Sequence, residues 1–311
     1  MTTHPMSSVA VRDVALRDGL QLTDGRLSTT SKVELVRTLL GLGVPELEVG
    51  SMARPDLVPA LADTLDVVGA LEESDRDRCW VWVATPGHVR RAADAGVRRF
   101  QYCLSVTDEH NTANIGRDTA TSMDALPEAV EAAAAVGGTV QLCLATTFTC
   151  PITGPVDPAR VLELVADPRG EGTVDVVLAD TLGQAHPRQV GDLVAAAVEP
   201  AGDRRIVFHG HDTWGMGVAN TLAAVDAGAR MVDAALGGLG GCPFAPGASG
   251  NTATEDVLFA LRPDWLDPGR FHELVAASDR MLGELGEDSR SRASAGAHGN
   301  GREFDWTLPR G

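Results

Sequence analysis

Short apolar runs rich in β-branched residues alternate along the chain with longer segments rich in Ala and Leu. Runs of the first kind have the length and composition of buried strands, whereas the longer segments have the length of helices. The predicted strands are residues 9–18, 46–51, 79–86, 100–106, 139–148, 174–181, 205–212 and 231–238.

The intervening segments carry helix signals. Residues 29–43 place apolar side chains on one helical stripe and end in glycine, and residues 122–138 are a second Ala-rich helical segment. Residues 157–167 open with Asp-Pro, which suits a helix N-cap followed by the first helical position. Residues 267–286 predict one further amphipathic helix, packed near the mouth or rim of the fold.

Eight strand-then-helix units with right-handed crossovers predict an α/β fold of the (β/α)₈ TIM-barrel type with an extra C-terminal helical segment. An open, doubly wound sheet is the alternative. Polar residues recur at the C-terminal ends of nearly all the strands, which favours the barrel, where those ends share one mouth. We expect residues 1–286 to form a single catalytic domain, and the polar, Gly-rich residues 287–311 to form a flexible tail.

Composition and charge limit the partners and the cellular compartment that we expect for the chain. A formal net charge of −17 argues against a nucleic-acid or anionic-membrane partner. Five cysteines without framework spacing favour a reducing compartment. The sequence has no apolar run of about 18 residues and no signal-peptide pattern, so we expect a cytoplasmic enzyme.

A pair of histidines ends the seventh predicted strand. His209 and His211 are two residues apart, so their side chains share one face, here the barrel interior. A hydrogen-bonded core histidine is the alternative for either one, but a pair on one face favours a metal site. Asp18, at the end of strand one, is the best-placed oxygen ligand. This donor set suits Mg²⁺ or Mn²⁺, with Zn²⁺ also compatible.

Charged residues also end other strands. Arg17 and Asp18 precede Gly19 and Gln21. The two charged residues form either an ordinary surface ion pair at a turn, or a metal ligand, Asp18, beside a fixed cation, Arg17. That cation would be aimed at a developing enolate or carboxylate oxygen. Glu48 and Asp180 either orient groups around the metal or cap the helices that follow.

The glycine-rich loop GGLGGCPFAPGASGN, residues 237–251, contains a lone cysteine, Cys242. Glycine and proline weaken helices and strands, so this segment has little capacity to form core. A small buried thiol is the alternative to a functional one. The loop composition favours a functional thiol.

Five motifs together carry a family resemblance: DVALRDGLQ, ELEVGS, LADTLGQA, HGHDTWGMGVANT and the loop sequence GGLGGCPFAPGASGNTATEDVL. Over roughly residues 9–285 the chain resembles 3-hydroxy-3-methylglutaryl-CoA lyase, a member of the DRE-TIM metallolyase superfamily. The resemblance implies that the metal ligands are Asp18, His209, His211 and Asn251. It also implies catalytic roles for Arg17, Asp18, Glu48, Asp180 and Cys242, and substrate contacts for Gln21, Ser51, Thr181 and Glu255.

The implied reaction is retro-Claisen or retro-aldol cleavage of a 3-hydroxy-3-alkyl acyl thioester to a ketone or 3-oxo acid plus an acyl thioester. Arg17 would stabilise the enolate, and Cys242 would protonate its carbon. Asp18 or a neighbouring histidine would act as the base. The family habit also predicts a homodimer.

The sequence departs from the family near the predicted mouth. Asp24 stands where these lyases have lysine, and Arg54-Pro55-Asp56 replaces their usual Ser-Pro-Lys. The substrate therefore stays open between an acyl-CoA, a carrier-bound acyl group and a free hydroxy acid. A synthase running in reverse is a further alternative, although the cysteine loop favours a lyase. A non-catalytic barrel that binds a metal or metabolite is a third.

Overall fold

The computed structural model describes residues 9–241 and 250–299. Eight parallel strands close into a barrel, and a two-stranded antiparallel hairpin follows the fifth strand. The strands are β1 (Ala10–Asp13), β2 (Glu46–Ser51), β3 (Cys79–Val83), β4 (Arg99–Ser105), β5 (Thr139–Ala145), β6 (Thr149–Cys150), β7 (Gly154–Pro155), β8 (Asp175–Asp180), β9 (Arg205–Gly210) and β10 (Met231–Ala234). β6 and β7 form the hairpin, and the other eight form the barrel. The predicted (β/α)₈ barrel is confirmed, and the open sheet is wrong.

Helices lie between the strands and continue after the last one. They are α1 (Thr29–Leu42), α2 (Thr64–Gly69), α3 (Glu73–Arg76), α4 (Pro86–Asp94), α5 (Asp108–Ile115), α6 (Thr119–Ala134), α7 (Pro158–Ala166), α8 (Pro187–Ala201), α9 (Gly217–Ala227), α10 (Thr254–Leu261), α11 (Pro268–Leu285) and α12 (Arg292–His298). Among the residues that the structure describes, no helix combines the length and apolarity needed to cross a membrane.

Local sequence signals set the helix ends. The Ser28 hydroxyl caps α1 by accepting a hydrogen bond from the Ser31 N–H, and Gly43 ends it with a φ of 109°. Asp157 caps α7 in the same way, and proline occupies the first turn. The apolar faces of these helices pack on the outside of the barrel in one large core.

The inside of the barrel is unusually polar. Interiors of such barrels are commonly filled by branched apolar side chains. Here Arg12, Gln101, Gln141 and Asp233 are buried and joined by hydrogen bonds to one another. This polar layer lies beneath the residues predicted to form the site.

The first strand is shorter than predicted. It ends at Asp13, and residues Ala15–Gly19 form a single π-helical turn in place of the expected strand. The Val14 carbonyl accepts hydrogen bonds from the N–H groups of Arg17, Asp18 and Gly19, at 3.0, 2.9 and 3.2 Å. An apolar run does not distinguish a strand from a buried turn, which is the physical reason for the error.

The C-terminal segment is partly helical. α11 packs on α1, and its Leu282 lies over Gly237 just beyond β10. The stretch predicted to be a flexible tail instead contains α12. Asp256 of α10 holds its start by accepting hydrogen bonds from the Ser291 hydroxyl and the Ala293 N–H, both at 2.7 Å. Residues 300–311 lie outside the described chain.

Gly50 in β2 leaves no room for a side chain. A methyl group there would overlap the hydroxyl and methyl of Thr64. Thr64 cannot turn away freely, because its hydroxyl accepts the Ser51 N–H at 3.0 Å and donates to the Leu61 carbonyl at 2.7 Å. We expect Gly50→Ala to lower the free energy of unfolding, measured by urea denaturation, by roughly 1–3 kcal/mol.

Gly41→Ala provides the matched control. Gly41 is exposed on α1, and nothing lies within 4 Å of the added methyl. Alanine is the better helix former, so this variant should gain about 0.5–1 kcal/mol. Equal stability changes in the two variants would contradict the steric account.

Candidate active site

A cavity of about 260 Å³ lies at the C-terminal ends of the barrel strands. The predicted polar residues Arg17, Asp18, His209 and His211 line one part of it. Trp82, Cys103, Cys143 and Leu61 are among the less polar residues that line the rest. The cavity therefore joins a charged end, suited to chemistry, to an apolar wall suited to a hydrocarbon group.

Three of the predicted metal ligands converge. The Nε2 atoms of His209 and His211 are 3.1 Å apart, and the Asp18 carboxylate oxygen Oδ2 lies 3.3 Å from the His211 Nε2 and 4.0 Å from the His209 Nε2. Ligand bonds of about 2.1 Å leave neighbouring donor atoms about 3 Å apart. The separations thus suit one shared divalent ion.

Asn251, the fourth predicted ligand, lies beside this group. Its amide nitrogen donates to Asp18 Oδ2 at 2.9 Å and to the Leu239 carbonyl at 3.0 Å. Its buried amide oxygen has no hydrogen-bond partner in the described part of the chain. An unsatisfied buried oxygen at this place is consistent with a cation as its partner. The donor set of two imidazoles and oxygens fits a divalent metal.

Asp18 is held in its ionised form. Burial alone would raise the pKa of its carboxyl, but the Arg17 guanidinium and the two imidazoles outweigh burial and hold the pKa well below its usual range. Arg17 Nη1 donates to Asp18 Oδ1, and the guanidinium lies over the Trp82 ring at 5.7 Å. Asp18 is therefore a ready ligand for a cation and a weak acceptor for a proton.

Glu48 lies on the other side of Arg17. Its carboxylate oxygen Oε1 is 3.5 Å from Arg17 Nε and accepts a hydrogen bond of 2.6 Å from the Gln101 amide. Burial raises the pKa of Glu48 to about 7, although Arg17 opposes the shift. Glu48 thus positions Arg17, and sequence reasoning did not identify Gln101 as its partner.

One of the two histidines, His209, is oriented by a residue that sequence reasoning missed. Asp180 accepts the N–H groups of Gln184 and Ala185 at 3.1 and 3.0 Å, so it shapes the loop after β8. It does not cap the helix that follows, because His186 is the N-cap of α8. The carboxylate beside a histidine belongs to Asp233, whose Oδ2 lies 3.1 Å from His209 Nδ1.

Three of the predicted substrate contacts line the cavity, namely Gln21, Ser51 and Thr181. Glu255 does not. It is fully buried, and both its carboxylate oxygens accept the Gly237 N–H, at 3.0 and 2.9 Å. Glu255 therefore supports the backbone just beyond β10 and is not part of the cavity lining. The predicted Cys242 lies outside the described residues.

Comparison with known proteins places the chain in a family. The sequence profile described as HMGL-like matches residues 8–280. The chain belongs to the HMGL-like family. It is therefore a carbon–carbon lyase of the DRE-TIM superfamily, as the sequence motifs indicated.

Individual HMGL-like relatives are similar over most of their length. The (R)-citramalyl-CoA lyase of Chloroflexus aurantiacus is 36% identical over 295 residues, covering 90% of this chain and 92% of the relative. The hydroxymethylglutaryl-CoA lyase of Pseudomonas mevalonii is 32% identical over 289 residues, covering 93% and 96%. A solved HMG-CoA lyase of Acinetobacter baumannii, in complex with coenzyme A and 3-methylmalate, is 32% identical with a TM-score of 0.87, covering 96% and 98%.

The buried position of Glu255 predicts a distinct dependence of stability on pH. Burial raises its pKa from 4.5 to about 7. Between these values the unfolded chain loses the Glu255 proton while the folded chain keeps it, so this group lowers stability as pH rises. Glu255→Gln removes the titration. The free energy of unfolding of the variant, relative to wild type, should therefore rise between pH 4.5 and 7, measured by urea denaturation.

An exposed carboxylate supplies the control for Glu255. Glu34→Gln changes an exposed residue of α1 and should shift stability equally at both pH values. A pH-independent difference for Glu255→Gln would refute the account of its burial.

Proposed function

We propose that the chain is a divalent-metal-dependent lyase that cleaves a 3-hydroxy-3-alkyl acyl-CoA thioester between C2 and C3. The products would be a ketone or oxo acid and an acyl-CoA. The convergence of Asp18, His209 and His211 beside Arg17 in one cavity carries the proposal. The similarity to lyases named for citramalyl-CoA and hydroxymethylglutaryl-CoA supports the thioester class.

Asp18, His209 and His211 would hold the metal, with Asn251 adjacent. A divalent ion, Mg²⁺ or Mn²⁺ by this donor set, supplies Lewis acidity that lowers the pKa of a substrate hydroxyl. The low pKa of Asp18 makes it a poor proton acceptor, and imidazoles that hold the metal have no free electron pair for a proton. The hydroxyl proton would therefore pass to a solvent base.

Other side chains of the site would carry the steps that follow removal of the hydroxyl proton. Once the C3 hydroxyl loses its proton, its electrons form the carbonyl, the C2–C3 bond breaks, and the pair moves into the thioester enolate. Arg17 is fixed between Asp18 and Glu48, and its cationic edge would stabilise the enolate oxygen. Cys242 would donate a proton to C2 and regain one afterwards. The side chains of Gln21, Ser51 and Thr181 would hold the substrate against the cavity wall.

A second candidate for the substrate is a hydroxy acid that is not attached to coenzyme A. Near the cavity, the exposed Arg54 is paired with Asp56 at 3.1 Å, and Asp24 is exposed. Neither position presents an uncompensated cation for the phosphates of coenzyme A. This observation favours a substrate carried by another group, or a free hydroxy acid, as the alternative.

Two thioesters and their free acids test the substrate class. With Mg²⁺, cleavage of 3-hydroxy-3-methylglutaryl-CoA should release acetoacetate and acetyl-CoA, and cleavage of citramalyl-CoA should release pyruvate and acetyl-CoA, both followed by mass spectrometry. Turnover of either thioester, lost on chelation and restored by Mg²⁺, is expected. Cleavage of only the free acids would select the alternative. No cleavage of any of the four by metal-loaded protein would contradict the lyase assignment for this substrate class.

Arg17→Gln should separate metal binding from chemistry. The variant removes a cation that competes with the metal for Asp18, so metal affinity measured by calorimetry should be maintained or increased. Loss of a preorganised donor to the enolate should lower kcat by about 10²–10³-fold. A variant with unchanged kcat would contradict the role of Arg17.

Arg54→Gln is the matched control for Arg17. It also removes a guanidinium paired with an aspartate, but at the exposed surface. Its kcat should stay at the wild-type level, since exposed ion pairs contribute little.

A further inference from the structure

A buried ion pair lies beneath His209 in the barrel interior. Arg12 of β1 and Asp233 of β10 face each other in register on neighbouring strands, and their side chains are 0% and 1% exposed. The guanidinium donates from Nε to Asp233 Oδ1 and from Nη2 to Oδ2, both at 2.8 Å. This two-point contact fixes the plane of the Asp233 carboxylate.

The remaining contacts of Arg12 hold the guanidinium itself. Nη1 donates to the Gln141 side-chain oxygen at 2.9 Å, and Nη2 donates to the Gln101 side-chain oxygen at 3.2 Å. The group also lies over the Trp80 ring at 5.6 Å. Because partners from three other strands surround it, the Arg12 guanidinium has little freedom to rotate. The Asp233 carboxylate that it binds is restricted in the same way.

Asp233 transmits this orientation to one imidazole. Its Oδ2 is 3.1 Å from His209 Nδ1, and the two residues are register partners on β10 and β9. An ionised carboxylate accepts hydrogen bonds but donates none, so His209 Nδ1 has to carry a proton. In the neutral ring the free electron pair then lies on Nε2, the atom that faces His211 and Asp18.

We propose that Arg12 and Asp233 are positioning residues that set the tautomer and the direction of His209 for binding a divalent cation. Neither would act on the substrate directly. The inference rests on the proposed function, which supplies the cation, and it predicts that the affinity for the metal itself depends on a pair of residues one layer below the ligands.

The same barrel provides a control pair of equal chemistry. Asp175 of β8 is fully buried and accepts two hydrogen bonds from Arg205 of β9, at 2.6 and 2.9 Å. These residues lie at the N-terminal ends of their strands, away from the histidines. Asp175→Asn therefore removes a comparable carboxylate charge without touching a metal ligand.

The experiment compares Asp233→Asn with Asp175→Asn, titrating each purified full-length chain with Mn²⁺ by calorimetry without substrate. Asparagine at 233 can donate its amide N–H to His209 Nδ1, which moves the ring proton to Nε2. We expect Asp233→Asn to weaken Mn²⁺ binding by about 10–100-fold, and Asp175→Asn to leave the affinity unchanged. Equal affinities of Asp233→Asn and wild type, or equal losses in both variants, would overturn the proposal.

A second measurement remains informative if Asp233→Asn does not fold. Nitrogen NMR of ¹⁵N-histidine-labelled wild-type protein, assigned with His209→Gln, should show the His209 proton on Nδ1. A proton on Nε2 would overturn the inference. Arg12→Lys, which keeps the charge but loses the two-point contact, should give a smaller loss of affinity than Asp233→Asn.

The outcomes also separate this inference from the proposed function. Wild-type protein that binds no Mn²⁺ would contradict the metal-dependent function, while the NMR spectrum would still decide the tautomer. Wild-type protein that binds Mn²⁺ with an affinity insensitive to Asp233→Asn would contradict the positioning role alone.

Discussion

The site is organised around the carboxylate of Asp18, a charge withdrawn from bulk water at the mouth of the barrel. It persists as an anion because Arg17 donates to one of its oxygens while His211 and Asn251 contact the other. The π-helical turn Ala15–Gly19 places both Arg17 and Asp18 on this side of the barrel. Without that turn, a continuing strand would point consecutive side chains to opposite faces. The local backbone geometry thus decides where the charges lie.

A continuous chain of contacts between charged and amide side chains connects the mouth of the barrel with its interior. Arg17 lies between Asp18 and Glu48, and Glu48 is joined through Gln101 to Arg12 and Asp233. Buried charges are tolerated only when each is paired, so this chain of contacts constrains all its members together. The polar interior therefore replaces part of the usual apolar filling with a framework that fixes the orientation of the charged side chains at the mouth.

Much of this arrangement could be predicted from the sequence. Alternating runs identified all eight barrel strands, and the spacing of His209 and His211 placed their side chains on one face, as the structure shows. The π-helical turn was not predictable, because apolar patterning does not distinguish it from a strand. Arg12 and Asp233 were missed for a different reason: they are separated by 221 residues, and strand patterns do not reveal which interior side chains meet. The buried position of Glu255 likewise depends on tertiary packing.

The central claim is that Asp18, His209 and His211 form one divalent-metal site in a carbon–carbon lyase. Anomalous diffraction from crystals grown with Mn²⁺ tests it most directly. We expect a single strong peak about 2.1–2.3 Å from a carboxylate oxygen of Asp18 and from a ring nitrogen of each histidine. A fully loaded crystal with its peak elsewhere, or with no peak at these three residues, would contradict the account.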